Sequence, residues 1–239
     1  MGVVGIAIGV VLLPDLSRKI RADDVDGGRH AFNRAAEFAL ALTIPSAIAL
    51  FLAAMPLISV LFQRGAFTTS DAASTAAALA IYSLGLPAFV FQKVIQPLYF
   101  AREDTKTPFY YAVVAMVINL VVAIGLSYQF GYLSAAIAVT ISAWAMCLLL
   151  WLGTGKMGEA AQFDARFYKT IPKIILASAL MGGVVILAQQ MLGDMLYTNG
   201  QRYIALAALV MSGAFVYGIT LLGLGAYSLK EIKGMVKRS

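Results

Sequence analysis

From its N-terminus the chain alternates long apolar runs with short polar stretches. Six runs, over residues 33–55, 72–100, 108–127, 132–153, 170–191 and 203–224, each reach the roughly 20 residues a helix needs to cross a hydrocarbon layer of about 30 Å. The runs are continuous, whereas the strands of a membrane barrel alternate in polarity over about ten residues. Ala, Leu and Gly dominate them, with scattered Pro, as membrane helices tolerate. The pattern predicts an all-α integral membrane protein with six full transmembrane helices. A further apolar run, Met1–Leu13, is too short, because thirteen residues of helix rise only about 20 Å. Its cations, Arg18, Lys19 and Arg21, follow the run, the reverse of a secretory signal. It reads as the second half of a truncated helix, and the chain as the C-terminal piece of something longer.

The polar stretches divide the chain accordingly. Residues 1–13 are the half helix and 14–32 an amphipathic cytoplasmic loop. Residues 33–153 hold four helices, 154–169 a cytoplasmic loop, 170–226 two C-terminal helices, and 227–239 a basic cytoplasmic tail. Composition agrees: of 239 residues, 61% are hydrophobic and 13% charged, about half the charged share of a soluble domain. Disorder requires the opposite composition. The single cysteine, Cys147, can form no intrachain disulfide, and with the single histidine, His30, it leaves little material for zinc chemistry or a Cys–His nucleophile. No phosphate loop, HExxH or GxSxG motif is present, so no catalytic constellation is read from the sequence, an enzyme is not expected and no cofactor is implied by motif. The net charge of +6 lies in loops on one side, which points to a membrane orientation and not to nucleic acid.

Polar residues inside the spans are the candidates for chemistry. Lys93 lies in Phe91-Gln92-Lys93-Val94-Ile95-Gln96-Pro97, within the second run. A charge at depth costs about 2.5–3.5 kcal/mol on insertion scales unless it faces protein or water. Gln92 and Gln96 flank it at helical spacing, giving one polar face that lines a hydrated cavity or forms a helix–helix contact. Snorkelling towards Arg102 is only a partial alternative, because that end is about 13 Å along the helix. Asn119 lies mid-run and predicts a hydrogen bond to a neighbouring helix, with ion coordination as the other reading. Thr140 and Ser142 suit bonds to their own helix's carbonyls. Arg34 and Glu37, one turn apart, predict an ion pair at the start of a span. Pro45, Pro56, Pro87, Pro97 and Pro172 predict kinks of the kind that recur in transporters.

Several segments resemble the MurJ (MviN) lipid II flippase family of the MOP superfamily. Gly2-Val3-Val4-Gly5 followed by Leu12-Leu13-Pro14-Asp15-Leu16-Ser17 is similar to the family's GVxG…LPxLS stretch, and Thr43-Ile44-Pro45-Ser46-Ala47 to its next span. Phe62-Gln63-Arg64-Gly65-Ala66-Phe67 resembles its external turn. Tyr99-Phe100-Ala101-Arg102-Glu103-Asp104-Thr105-Lys106-Thr107-Pro108 resembles its YxRxDTxTP motif, which makes Arg102, Asp104, Thr105, Thr107 and Pro108 a cytoplasmic signature. The resemblance implies a fourteen-helix fold of which this chain supplies the end of helix 8 and helices 9 to 14. Residues 33–153 would then belong to the C-lobe, and 170–226 to two helices forming a groove for a lipid tail. It implies movement of lipid II, an undecaprenyl-diphosphate-linked muropeptide, across the bacterial inner membrane by alternating access in cell-wall synthesis. The partners implied are lipid II, membrane lipids and the missing N-lobe of the same transporter. For a sodium ion the resemblance offers Asn119 and Thr140, but Ala123 stands where a second ligand would follow Asn119. The family's diphosphate-binding arginines lie mainly in helices outside this sequence. Two rivals remain: another exporter of the superfamily, for polysaccharide-lipids or drugs, and a non-transporting remnant or subunit of a split transporter.

Orientation follows from the loops. Fifteen of the 18 basic residues fall in alternate loops, at the adjoining starts of spans (Arg34 and Lys173) or in the C-terminal tail, two (Arg64 and Arg202) in the opposite set, and Lys93 well inside a span. The positive-inside rule puts the larger set, and the C-terminus, in the cytoplasm. Cysteines placed at Thr69 and Asn199 should therefore react with a membrane-impermeant thiol reagent added outside. Reaction only from the cytoplasmic side would reverse the orientation.

Overall fold

The structure is a computed structural model that describes residues 24–197 and 200–226, together with Pro14, Ser17–Lys19 and Ala22. The predicted half helix at 1–13 and basic tail at 227–239 lie outside the described residues. Among the described residues the regular elements are all helices: α1 (Val25–Leu52), α2 (Ala54–Phe62), α3 (Thr69–Ser83), α4 (Leu86–Phe100), α5 (Lys106–Phe130), α6 (Leu133–Gly153), α7 (Ala165–Leu192) and α8 (Arg202–Gly223), with short 3₁₀ turns after α6 and α7. Six stretches are long and apolar enough to cross a membrane, as the sequence pattern predicts. Two predicted spans are broken: Ala53 separates α1 from α2, and Leu84-Gly85 separates α3 from α4.

Local chemistry sets the helix ends. Asp24 accepts a hydrogen bond from the Gly27 N–H at 2.8 Å and caps α1, which begins at Val25 and not at residue 33. Residues 25–32, expected as loop, are therefore helical. At the start of α3, Thr68 and Asp71 form a reciprocal capping box, with Thr68 N to Asp71 Oδ2 at 2.9 Å and Asp71 N to Thr68 Oγ1 at 3.2 Å. Asp164 accepts from the Phe167 N–H at 2.7 Å and starts α7.

The chain divides into two compact units. The first comprises the described part of residues 1–43 with 81–168. In it α6 packs against both α4 and α5. Val94, Ile95 and Leu98 of α4 are fully buried, as are the small residues Ala136 and Ala138 of α6, which let neighbouring backbones come close. α5 leaves Met116, Leu120, Val121 and Ile124 exposed, an apolar surface suited to lipid. The second unit comprises 44–80 with 169–226 of the described chain. Its core joins Ala53 and Val60 to Met181, Val185, Leu206 and Leu209. A smaller cluster packs Ala54 and Ile58 against Ala72 and Ala76. Gly213 permits the approach of α7 and α8, since a Cβ there would lie 3.1 Å from the Val185 side chain.

A polar knot anchors the beginning of α1 to the segment before α7, within the first unit. Asn33 is fully buried. Its Nδ2 donates to the carbonyls of Arg29 (2.8 Å) and Gln162 (2.9 Å), and its Oδ1 accepts from the Asp164 N–H (2.9 Å). The predicted Arg34–Glu37 pair forms at 2.6 Å, with Glu37 only 1% exposed. Arg34 also reaches Asp164 at 2.6 Å, and Arg166 approaches Glu37 at 3.7 Å. Phe163 packs beside them, its ring stacked on those of Phe167 and Trp151 at centroid distances of 3.7 and 4.3 Å. Removing one partner from such a buried network strands the others. Asn33→Ala should therefore destabilise the purified protein by about 1–3 kcal/mol, read as a lower thermal midpoint in detergent. An unchanged midpoint would show that the knot is not a stability element.

Candidate functional site

The predicted polar face on α4 is split by the helix's own geometry. Successive residues point about 100° apart, so Gln92 and Lys93 cannot share a surface. Gln92 is buried and donates from Nε2 to the Ala143 carbonyl of α6 at 2.7 Å, which makes it a helix–helix contact and not a cavity residue. Lys93 is exposed, on a stripe with Phe89, the half-buried Gln96 and Phe100. Pro97, four residues on, has no N–H to offer the Lys93 carbonyl. The stripe thus combines a cation, an amide and a freed backbone acceptor within an otherwise apolar span.

The 99–108 signature folds into a tight, internally bonded loop. The last turn of α4 closes as a Schellman cap: Asp104 N bonds Tyr99 O at 3.1 Å and Glu103 N bonds Phe100 O at 3.0 Å. That cap needs a left-handed residue, and Glu103 supplies it at φ 62° where glycine is more usual. Arg102 donates to the Leu98 carbonyl from Nη1 and to the Met157 carbonyl from Nη2, both at 2.9 Å. It thereby ties the loop to the turn after α6, and partial burial lowers its pKa from the ordinary value. The Asp104 carboxylate accepts from the Thr107 N–H at 3.0 Å, and hydrogen bonding by Thr107 holds its pKa below the usual range. Thr105 is the exposed residue preceding α5, and Pro108 is buried in the first turn, where its missing N–H costs nothing. The five signature residues are therefore brought together, chiefly to build the α4–α5 connection.

Asn119 and Thr140 are not brought together. Asn119 Nδ2 reaches Ser142 Oγ at 3.4 Å, whereas Thr140 Oγ1 donates to the Ile81 carbonyl at 3.0 Å. Thr140 and Ser142 are two residues apart on α6, so they point about 200° apart. The two proposed sodium ligands face different neighbours for this reason. Among the described residues no group of three or more His, Cys, Asp or Glu side chains could hold a metal ion.

Thr140 instead belongs to an arrangement that sequence reading missed. At the break between α3 and α4, the N–H groups of Leu84 and Gly85 turn back to Ile81 and Tyr82, and Pro87 has none to give. Thr140 takes the Ile81 carbonyl, and Trp144, one turn along α6, donates from Nε1 to the Leu84 carbonyl at 3.0 Å. The second unit repeats the device: Pro56 cannot serve the Leu52 carbonyl, and Gln189 donates to it from Nε2 at 3.0 Å. Thr140–Trp144 spacing on one helix face and a glutamine inside an apolar run were the available signals. Neither names its partner.

Comparison with known proteins gives these elements a family context. Residues 1–202 match the family described as Lipid II flippase MurJ. A probable lipid II flippase MurJ of Rhizobium meliloti (strain 1021) is 34% identical over 241 residues, covering 100% of this chain and 45% of the relative. Its counterpart in Vibrio cholerae serotype O1 is 34% identical over 234 residues, covering 98% of this chain and 44% of the relative. A solved structure of the lipid II flippase MurJ in an inward closed conformation matches with a TM-score of 0.74 and 26% identity, over 92% of this chain and 42% of that one. The chain thus spans somewhat under half the length of these relatives.

Thr140→Val and Trp144→Phe each remove one donor while keeping most of the side-chain shape. Each should lower stability by about 0.6–2 kcal/mol, measured as thermal unfolding in detergent, with no dependence on sodium. A sodium-induced stabilisation of the unaltered chain that Thr140→Val abolishes would return Thr140 to ion binding.

Proposed function

The chain belongs to the lipid II flippase MurJ family, and from that premise we propose that it forms the C-terminal portion of a transporter moving lipid II across the bacterial inner membrane. The family is one of transporters and not of catalysts, and the six apolar spans make the chain a multi-pass membrane protein. The observation that carries the reading is the match to flippases over nearly the whole chain, in sequence and in backbone shape together. It sets aside the drug and polysaccharide-lipid exporters as rivals.

In this reading the loops rich in Lys and Arg face the cytoplasm, and an N-terminal bundle of the same transporter supplies the other half of the moving pair. Alternating access requires two bundles that rock about a shared site. The Lys93 stripe lines the hydrated path, where its ammonium meets the negative diphosphate of the substrate. One lysine is a point charge, and arginines elsewhere in the transporter provide the bidentate grip on phosphate oxygens.

The test is complementation in cells depleted of their own flippase. Residues 1–239 should restore growth, and delivery of precursor to the outer leaflet, only when co-expressed with the N-terminal portion of a relative. In that rescued background Lys93→Ala should slow precursor delivery at least several-fold with protein abundance near normal. No rescue by the pair at normal abundance overturns the flippase reading. Full activity of Lys93→Ala removes Lys93 from the path, and a loss of abundance assigns it to packing. Rescue by the chain alone would show that this portion suffices.

A further inference from the structure

The ends of α4, α5 and α6 surround an open pocket of about 590 Å³, a size typical of small-ligand sites. Three membrane-spanning helices start or stop there, so the pocket lies at headgroup depth whichever side of the membrane it faces. Its floor is made by Tyr99 and Tyr111, whose rings meet edge to face at 6.5 Å. The floor depends on Gly153, because a Cβ there would overlap the Tyr99 hydroxyl, which donates to the Leu150 carbonyl.

The charged lining consists of Arg102 and Lys156 against one carboxylate, Asp104. Asp104 already accepts from the Thr107 backbone. Arg102 uses two N–H donors on carbonyls, and a guanidinium has five. Lys156 is exposed, and no hydrogen bond engages its ammonium among the described residues. The remaining wall is apolar: Leu149 is half-buried, and Leu152 is 65% exposed, continuing outward onto Leu148. Free cationic donors beside a leucine wall at the membrane boundary match a ligand with a phosphate at one end and acyl chains at the other. Basic pockets between transmembrane helices recognise such headgroups.

We propose that this pocket binds the headgroup of an anionic glycerophospholipid, with Arg102 and Lys156 on its phosphate and its acyl chains along Leu149 and Leu152. The site is separate from the Lys93 stripe and does not depend on the transport reading. A free phosphate ion shares the headgroup's charge but not its chains, so the leucine wall distinguishes the two.

The experiment is calorimetric titration of the purified full chain in neutral detergent with dioctanoyl phosphatidylglycerol, dioctanoyl phosphatidylcholine and inorganic phosphate. Saturable binding of phosphatidylglycerol is expected, weakening as salt is raised, with phosphatidylcholine at least ten-fold weaker and inorganic phosphate a poor competitor. Lys156→Gln should weaken phosphatidylglycerol binding about five-fold. Lys169→Gln makes the same change in net charge outside the pocket and should leave binding unaltered. Circular dichroism of both variants checks that helix content is retained, and Leu152→Asn provides an uncharged second probe that should also weaken binding. Equal affinity for the two lipids, displacement by inorganic phosphate at matching concentrations, or equal losses in Lys156→Gln and Lys169→Gln would each overturn the proposal.

Discussion

Hydrocarbon offers no hydrogen bonds, so every backbone N–H and C=O within the membrane must find a partner inside the protein. A straight helix meets this demand alone. This chain breaks two of its spans, at Ala53 and at Leu84-Gly85, and each break frees carbonyls that helix geometry cannot serve. Side chains from neighbouring helices serve them instead, Gln189 at Leu52 and Trp144 at Leu84, while Thr140 joins the Leu84 N–H on the Ile81 carbonyl. The polar residues of the spans are thereby committed. Gln92, Thr140 and Trp144 bond backbone carbonyls, and Asn119 bonds a hydroxyl. Lys93 stands apart, a charge on an exposed stripe with no such commitment among the described residues.

Charge is otherwise concentrated at the helix ends, where water is available and desolvation is partial. There the structure builds two rigid devices. One is the Asn33–Arg34–Glu37 knot, which holds the segment before α7. The other is the Arg102–Asp104 loop, which closes α4 onto α5 and ties both to the turn after α6. Both make a helix end stiff, while the breaks place irregular backbone within the spans. Under the proposed transport reading that combination suits alternating access, because rigid ends transmit a bend made elsewhere.

Under the proposed transport reading, a lipid diphosphate needs several cations at depth, and here Lys93 is the basic residue placed away from the span ends. The pocket at the ends of α4, α5 and α6 provides a separate place for anionic lipid, built from the same loop that carries the family signature. Arg102 belongs to both: two of its donors hold the fold, and the residue lines the pocket.

The amino-acid pattern by itself determined the fold class, the six spans and the Arg34–Glu37 pair, because hydropathy over about 20 residues and one-turn charge spacing are local properties. The 99–108 motif was equally visible as a signature. Its construction was not, because the Schellman cap depends on a left-handed Glu103 that no residue preference announces. Tertiary structure decided the rest. Gln92 and Lys93 are adjacent in sequence, yet one is buried against α6 and the other exposed, since only the packing of α4 says which side of the helix meets a neighbour. Asn119 of α5 bonds Ser142 of α6, while Thr140 of α6 bonds Ile81 of α3, partners that only the packing of the helices supplies. Gln189 and Asp164 gained their roles only when partners 137 and 130 residues away were brought within hydrogen-bond reach. Satisfying a freed carbonyl in hydrocarbon is a contact between distant segments, and that information exists only once the helices are packed.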